Sequence, residues 1–494
     1  MSVHAPALGK THLNGLRIMS KQASSWVVAF GLTLSDFCAL VCAYGIGVLG
    51  LIWYGDYSFK TQAFSTWLAE TGEPQLWVYG FFCVLVCLNF WYQSLYSKRR
   101  PFWDELLHIF RTIFYIAITH GVVVLVAKWP FSRFVWIVSW GSCMLLIPLF
   151  RAGMKSGLRQ IGYWQKPTVI LGSGPNALEA YRALQSEKGM GYDVAGFISL
   201  NGSIELPAPV QKASAEEVLP LLRSMRNPHL ILALGQADMQ KHSEVIQKLV
   251  LRYHSFSWVP DFNGLPFIGM DVSHFFSHEV LLLNVKNNLE NPFAQALKRA
   301  LDVLISGLAL ILLSPLFAYL AYQIRKTNGP VLFGHERIGR DGNKFSCYKF
   351  RTMVPNANET LKQLLETCPV SRAEWENDFK LREDPRVTPI GNFLRRSSLD
   401  ELPQLWNVFV GEMSLVGPRP VTEQELPKYG DKLEFYLATR PGITGLWQVS
   451  GRNDVSYDAR TSLDAWYVKN WNVWYDIVIL FKTVRVVFRE DGAY

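Results

Sequence analysis

The sequence predicts an α/β membrane protein in three parts: a four-helix transmembrane unit, an α/β middle domain, and an α-rich C-terminal domain carrying a broken membrane helix. Three observations predict it. The hydrophobic residues, 49% of 494, are bunched into long runs. After Lys166, short apolar segments alternate with helical patterns. After Lys298, one further apolar run carries Ser314-Pro315 at its middle and basic residues on both flanks. The expected boundaries are 1–160, 161–292 and 293–494, sizes ordinary for domains.

Four runs, Trp26–Trp53, Leu76–Tyr96, Phe110–Ala127 and Val135–Phe150, approach the length that crosses about 30 Å of hydrocarbon. The first is too long for a signal peptide and has no small-residue cleavage site after a short apolar core, so it reads as an anchor. Lys10, Arg17 and Lys21 precede the first run, Lys98, Arg99 and Arg100 follow the second, and Arg151, Lys155 and Arg159 follow the fourth. The loop from Gly55 to Gln75 has one Lys and three acids, so both ends of the unit belong on the cytoplasmic side. A net charge of +8 suits anionic lipid and anionic substrates. A nucleic-acid partner is not expected, because the basic residues flank apolar runs instead of forming a stripe. The seven cysteines form neither a disulfide framework nor a CxxC metal pattern.

In the middle domain, Thr168–Leu171, Asp193–Leu200, Leu230–Leu234 and Ser255–Val259 read as strands of a parallel, Rossmann-like sheet. Gly172-Ser173-Gly174-Pro175-Asn176-Ala177 follows the first strand in the manner of a dinucleotide loop. The acid that would hold a ribose at the end of the second strand is replaced by Ser199, Leu200 and Asn201, which argues for a structural, oligomerising or regulatory domain. The apolar run of the C-terminal domain, 300–324, has Lys298 and Arg299 before it and Arg325 and Lys326 after it. A hairpin-like re-entrant helix broken at Ser314 and Pro315 satisfies both cytoplasmic flanks; a fifth span does not. Trp406, Phe409 and Met413, with Trp466, Tyr467, Trp471, Trp474 and Tyr475, are expected at the membrane interface.

The most informative stretch runs from Arg395 to Pro420, where Asp400 and Glu401 stand together between arginines. Ser398 and Glu401 have capping-box spacing and Pro403 suits a first turn, so the carboxylates are expected at a helix start, where N–H groups favour anions. Around them lie Tyr348-Lys349-Phe350-Arg351-Thr352-Met353, Asp384-Pro385-Arg386, Gly417-Pro418-Arg419-Pro420, Arg440-Pro441-Gly442-Ile443-Thr444-Gly445 and Gly451-Arg452-Asn453. Lys349, Arg351, Arg395, Arg419, Arg440 and Arg452 are candidate clamps for phosphate oxygens. Spacing leaves open which carboxylate is nucleophile and which is ligand.

On these motifs the chain resembles the bacterial sugar transferases, which are monotopic polyprenyl-phosphate phosphoglycosyl transferases, from about Lys298 onward. Its layout, down to Asp491-Gly492-Ala493-Tyr494, is similar to the larger subfamily that moves galactose phosphate onto undecaprenyl phosphate for O-antigen or exopolysaccharide synthesis. The resemblance implies Asp400 as nucleophile and a re-entrant helix. It also implies UDP-galactose and undecaprenyl phosphate as substrates, UMP as product, and a catalytic domain on the cytoplasmic face of the bacterial inner membrane. A Mg²⁺ held by Glu401 and diphosphate oxygens fits the habit of that ion. UDP-glucose would use the same machinery. An NAD-dependent sugar-nucleotide oxidoreductase or a non-catalytic export scaffold are the other classes to separate from it, the former lacking both the ribose acid and a Tyr-x-x-x-Lys pair. Homodimerisation through the N-terminal parts is expected.

Overall fold

The computed structural model describes residues 25–54, 69, 72–129, 131–200, 207–213, 217–224, 228–253, 256–260, 271–274, 281–284, 288–289, 291–368, 372, 381, 384–450 and 456–488. The chain divides into two compact units, Met1–Asp261 and Phe262–Tyr494.

The first unit opens with helices α1 (Ser25–Tyr54), α2 (Glu73–Tyr92), α3 (Phe102–Ala127) and α4 (Arg133–Gln160), all long and apolar enough to cross a membrane. Helix α3 starts at Phe102 instead of Phe110, and α4 continues past Phe150 to Gln160. The extra turns carry charges, and pairing admits those charges to helix–helix contacts. Arg151, 2% exposed, donates to both oxygens of fully buried Asp36 at 2.8 and 2.6 Å and to Glu105 at 2.8 Å. Lys155 pairs with the other oxygen of Glu105, and the Tyr96 hydroxyl donates to Asp36 at 2.9 Å.

Beyond α4 lies a five-stranded parallel sheet of β1 (Lys166–Leu171), β2 (Tyr192–Ser199), β3 (Val210–Lys212), β4 (His229–Leu232) and β5 (Phe256–Trp258), in the order β3-β2-β1-β4-β5. Helices α5 (Pro175–Ser186), α6 (Val218–Ser224), α7 (Gln236–Lys241) and α8 (Ser243–Arg252) connect the strands. Val169, Leu171 and Leu230 pack into one core, whereas Ile170, Phe197 and Ile231 pack into another. Burial on both faces is why these strands read as continuous apolar runs. Strand β3 escaped the sequence pattern because it is short and polar, right after Pro207 and Pro209. Ser199, at the position of the missing ribose acid, shares a 2.8 Å hydrogen bond with Ser173 of the glycine loop. The turn before β2 is pinned by Arg159, Trp164 and Arg99, which donate to the successive carbonyls of Lys188, Gly189 and Met190 at 2.8, 3.0 and 2.8 Å.

The second unit begins with an antiparallel pair, β6 (Asp271–His274) and β7 (Leu281–Asn284), followed by α9 (Pro292–Leu312) and α10 (Ser314–Arg325), bent by 61° at their junction. Pro315 sits in the first turn of α10, where its missing N–H costs no helix bond, so this is a break between two helices and not a kink in one. Then come the hairpin β8 (Leu332–Ile338) and β9 (Lys344–Phe350), and helices α11 (Ala357–Thr367), α12 (Pro389–Arg396) and α13 (Gln404–Val410). Strands β10 (Ser414–Val416) and β11 (Gly442–Thr444) pair in parallel around α14 (Leu433–Leu437), and α15 (Leu446–Ser450), α16 (Tyr457–Lys469) and α17 (Val473–Phe488) complete the unit. Met413, Tyr467 and Trp471, expected at an interface, instead fill the core with Phe345, Cys347 and Val408. Tyr467 and Trp471 point inward because their polar atoms find a buried acceptor, Asp476, at 2.7 and 3.1 Å. Trp406 and Phe409 remain exposed.

Candidate active site

The carboxylate pair is placed by the two helices on either side of it. Thr388 caps α12 by accepting from Gly391 N at 3.0 Å, and Gly391 lies so close to β9's exit that a Cβ would stand 2.0 Å from the Thr352 carbonyl oxygen. The α12 helix ends at Arg396, and Ser398 then takes a left-handed conformation, φ 55°. Its side chain makes no cap bond, so the expected capping box is not formed: a left-handed residue aims its hydroxyl away from the N–H groups that follow. Leu399–Glu401 form a single 3-10 turn, and α13 starts only at Gln404, so the carboxylates precede the helix instead of occupying its first turn. The capping box lies elsewhere, between Thr422 and Glu425.

Asn407, fully buried on α13, locks this turn onto β9. Its amide donates to Ser346 O at 2.8 Å and to Glu412 at 2.6 Å, while its carbonyl oxygen accepts from Tyr348 N at 3.1 Å. That clamp sets Lys349 against Glu401, with Nζ to Oε1 at 2.6 Å and both side chains about a third exposed. Asp400 is half-buried. Burial pushes its carboxyl up to about 6 with help from Glu401, while Lys349 and Arg395 pull the other way. The ordinary aspartate value expected from sequence is therefore displaced, yet the group stays mostly ionised at pH 7.

Arg395 reaches the site's field and is oriented by Thr352, whose Oγ1 accepts from its Nε at 3.0 Å. Arg419 stands 6.0 Å over the Trp447 ring. Two other candidates are engaged with backbone. Arg351 is buried and donates to Thr327 Oγ1 at 2.6 Å and Ile324 O at 3.3 Å, closing the end of α10, and Arg440 donates to Gly411 O at 2.8 Å behind α13. Arg452 lies outside the described residues. Asp384 and Arg386 form a two-pronged pair at 2.8 and 2.7 Å that holds the Asp384 carboxyl below its usual range, although burial alone would raise it. The Gly417-Pro418 turn packs directly on the Arg440–Gly445 segment: Gly417 N donates to Thr444 O at 2.9 Å and Gly442 N to Pro418 O at 2.8 Å.

Sequence reasoning missed the base of α9. Arg299 donates to the last carbonyls of α13, Val408 and Phe409, at 2.7 and 2.9 Å. Asp302 accepts from Ser414 Oγ and Leu415 N at 2.9 and 3.0 Å, and Lys298 binds Asp476 at 2.6 Å and Val416 O at 3.1 Å. One helical turn thus holds both the helix behind the carboxylates and the strand leading to Arg419. The only signal in the sequence was charge at the edge of an apolar run, which reads equally as a topology marker. A cavity of about 370 Å³ also opens on the outer face of α12, lined by Pro389, Asn392, Phe393, Arg396 and Ser397.

An apolar broken helix joined to a carboxylate pair among cations defines a membrane enzyme that handles anionic, phosphate-bearing substrates. Residues 293–490 match the family described as bacterial sugar transferase. The chain is 48% identical over 417 residues to the undecaprenyl-phosphate galactose phosphotransferase of Salmonella typhimurium, covering 84% of this chain and 88% of that one. It is 46% identical over 418 residues to a UDP-galactose-lipid carrier transferase of Erwinia amylovora (83% and 87%), and 50% identical over 204 residues to an exopolysaccharide production protein of Sinorhizobium fredii (41% and 90%). This chain belongs to the bacterial sugar transferase family.

Proposed function

We propose that the protein transfers galactose 1-phosphate from UDP-galactose to undecaprenyl phosphate on the cytoplasmic face of the bacterial inner membrane, releasing UMP and starting a surface polysaccharide. The observation that carries this reading is the Asp400–Glu401–Lys349–Arg395 constellation in a chain so similar, over nearly its whole length, to relatives named for galactose transfer.

Asp400 attacks the β-phosphorus of the nucleotide sugar, the bond to the UMP oxygen breaks, and the sugar phosphate remains as an acyl phosphate on Asp400. A phosphate oxygen of the lipid then attacks the same phosphorus and the carboxylate leaves. Both steps bring anions together, and Lys349, Arg395 and Arg419 offset that repulsion. No group of three or more His, Cys, Asp or Glu side chains gathers into a metal cage among the described residues. A pair of carboxylates, one of them Glu401 at 38% exposure, fits Mg²⁺, which takes its remaining oxygens from phosphates and water. When bound, that ion would neutralise charge on the diphosphate.

The α9–α10 pair acts as a re-entrant hairpin. After Asp302, α9 runs only to Leu312, about 15 Å at 1.5 Å per residue, half of a hydrocarbon layer of about 30 Å. Helix α10 turns away by 61° and ends at Arg325, while Leu304, Leu308, Ile311, Tyr319 and Tyr322 are exposed as a lipid-facing surface demands. Basic residues at both ends keep both on one side. The protein acts as a homodimer through its N-terminal parts.

The test is purified protein with Mg²⁺, undecaprenyl phosphate and, separately, labelled UDP-galactose, UDP-glucose and UDP-N-acetylglucosamine. UMP and lipid-linked label are expected with UDP-galactose and lost on chelation. Release of UDP, or no turnover with any donor, would reject the reading; turnover with UDP-glucose alone would correct the sugar.

A further inference from the structure

The β8–β9 hairpin places a histidine with no role in the reading above beside Lys349, the partner of Glu401. Its register sets Phe333 opposite Lys349, His335 opposite Cys347 and Arg337 opposite Phe345. Directly opposed residues share a face, so His335 is the diagonal neighbour of Lys349, whose amine holds Glu401. Phe345 and Cys347 are buried on this face, whereas His335 stays exposed.

The imidazole is also oriented. Arg337 Nη2 lies 3.2 Å from His335 Nδ1. A guanidinium only donates, so Nδ1 accepts and the remaining proton sits on Nε2. Arg337 is fixed in turn by Glu425 at 3.1 Å, and Glu425 by Thr422 N at 2.8 Å, while the Phe333 ring flanks the imidazole at 6.1 Å. Partial burial, Arg337 and Lys349 hold the imidazole below its usual range, which keeps it neutral. The product of this chain of contacts is a single N–H donor of fixed tautomer next to the site.

The hairpin also sets the distance of His335 from the broken helix. Helix α10 ends at Arg325, and β8 leaves it through exposed Leu332 and Phe333 before reaching His335, Glu336 and Arg337. His335 is three residues along the strand from Leu332, about 10 Å at 3.3 Å per residue.

We propose that His335 binds the donor substrate, its Nε2–H donating to an oxygen of the sugar diphosphate, with Arg337 as the positioning residue that sets the tautomer. This rests on the transferase reading above. The experiment titrates the nucleotide sugar and undecaprenyl phosphate separately with full-length wild type, His335→Ala and His335→Gln, alongside thermal melting. His335→Ala should raise the donor KM about tenfold, the loss of one hydrogen bond to a charged oxygen, with the lipid KM and melting temperature unchanged. His335→Gln, which retains an N–H donor, should recover most of that loss. An unchanged donor KM in His335→Ala, an equal rise in both KM values, or no recovery in His335→Gln overturns this inference alone. Wild-type protein that releases no UMP overturns both it and the transferase reading.

Discussion

Two groups of charges in this molecule look alike in sequence and behave oppositely in structure. In the membrane unit, Asp36, Glu105, Arg151 and Lys155 are two acids and two bases in mutual contact, with Asp36 and Arg151 sealed from solvent. In the transferase domain, Lys349 and Glu401 are paired but a third exposed, and Asp400 has no ion-pair partner among the described residues. Closed, neutral networks hold helices together and leave nothing for a ligand to bind. Open, unbalanced ones leave lone pairs and charge for a substrate, at some cost to the fold.

Asp400→Asn should break the comparison most sharply. UMP release should fall at least about a thousandfold, as expected when a nucleophile is removed. Because folding raises the Asp400 pKa to about 6, its protonated form stabilises the fold at low pH, and that contribution is lost as pH rises through about 6. Asparagine cannot ionise, so this variant should melt no lower than wild type at pH 7, and higher by on the order of 1 kcal/mol after allowance for partial exposure. A variant that is both inactive and unstable would make Asp400 part of the framework.

Arg151→Met probes the other side of the contrast. It leaves Asp36 and Glu105 buried without Arg151 and should cost about 3–5 kcal/mol, read as a large drop in melting temperature in detergent. An unchanged melting temperature would show that the closed network is not needed for the fold. The smallest effect is in pH. If ionised Asp400 is the attacking group, UMP release in the first half-reaction should fall about tenfold per unit below pH 6. A flat profile down to pH 5 would assign the attack to another residue.

Much of the fold was legible because composition dictates it. Long apolar runs must lie in lipid, and strands buried on both faces must be apolar throughout. The carboxylate pair was legible too, since two adjacent acids among arginines stand out in one dimension. Arg351 and Arg440 were not distinguishable from Lys349 and Arg395, because whether a guanidinium meets a backbone carbonyl or open solvent depends on which helix end passes behind it. Asn407, Asp302 and Arg299 were missed for the same reason: their partners lie 60 to more than 100 positions away.

The sequence by itself determined the long apolar helices, the parallel sheet, the break at Ser314-Pro315 and the adjacency of two acids among arginines, because periodicity, proline geometry and residue chemistry are local properties. Only the tertiary structure decided that Ser398 turns left-handed and denies the pair a helix cap, that Met413, Tyr467 and Trp471 are core, and that His335 stands beside Lys349. These depend on strand register, burial and long-range hydrogen bonds, which exist only once distant segments of the chain have met.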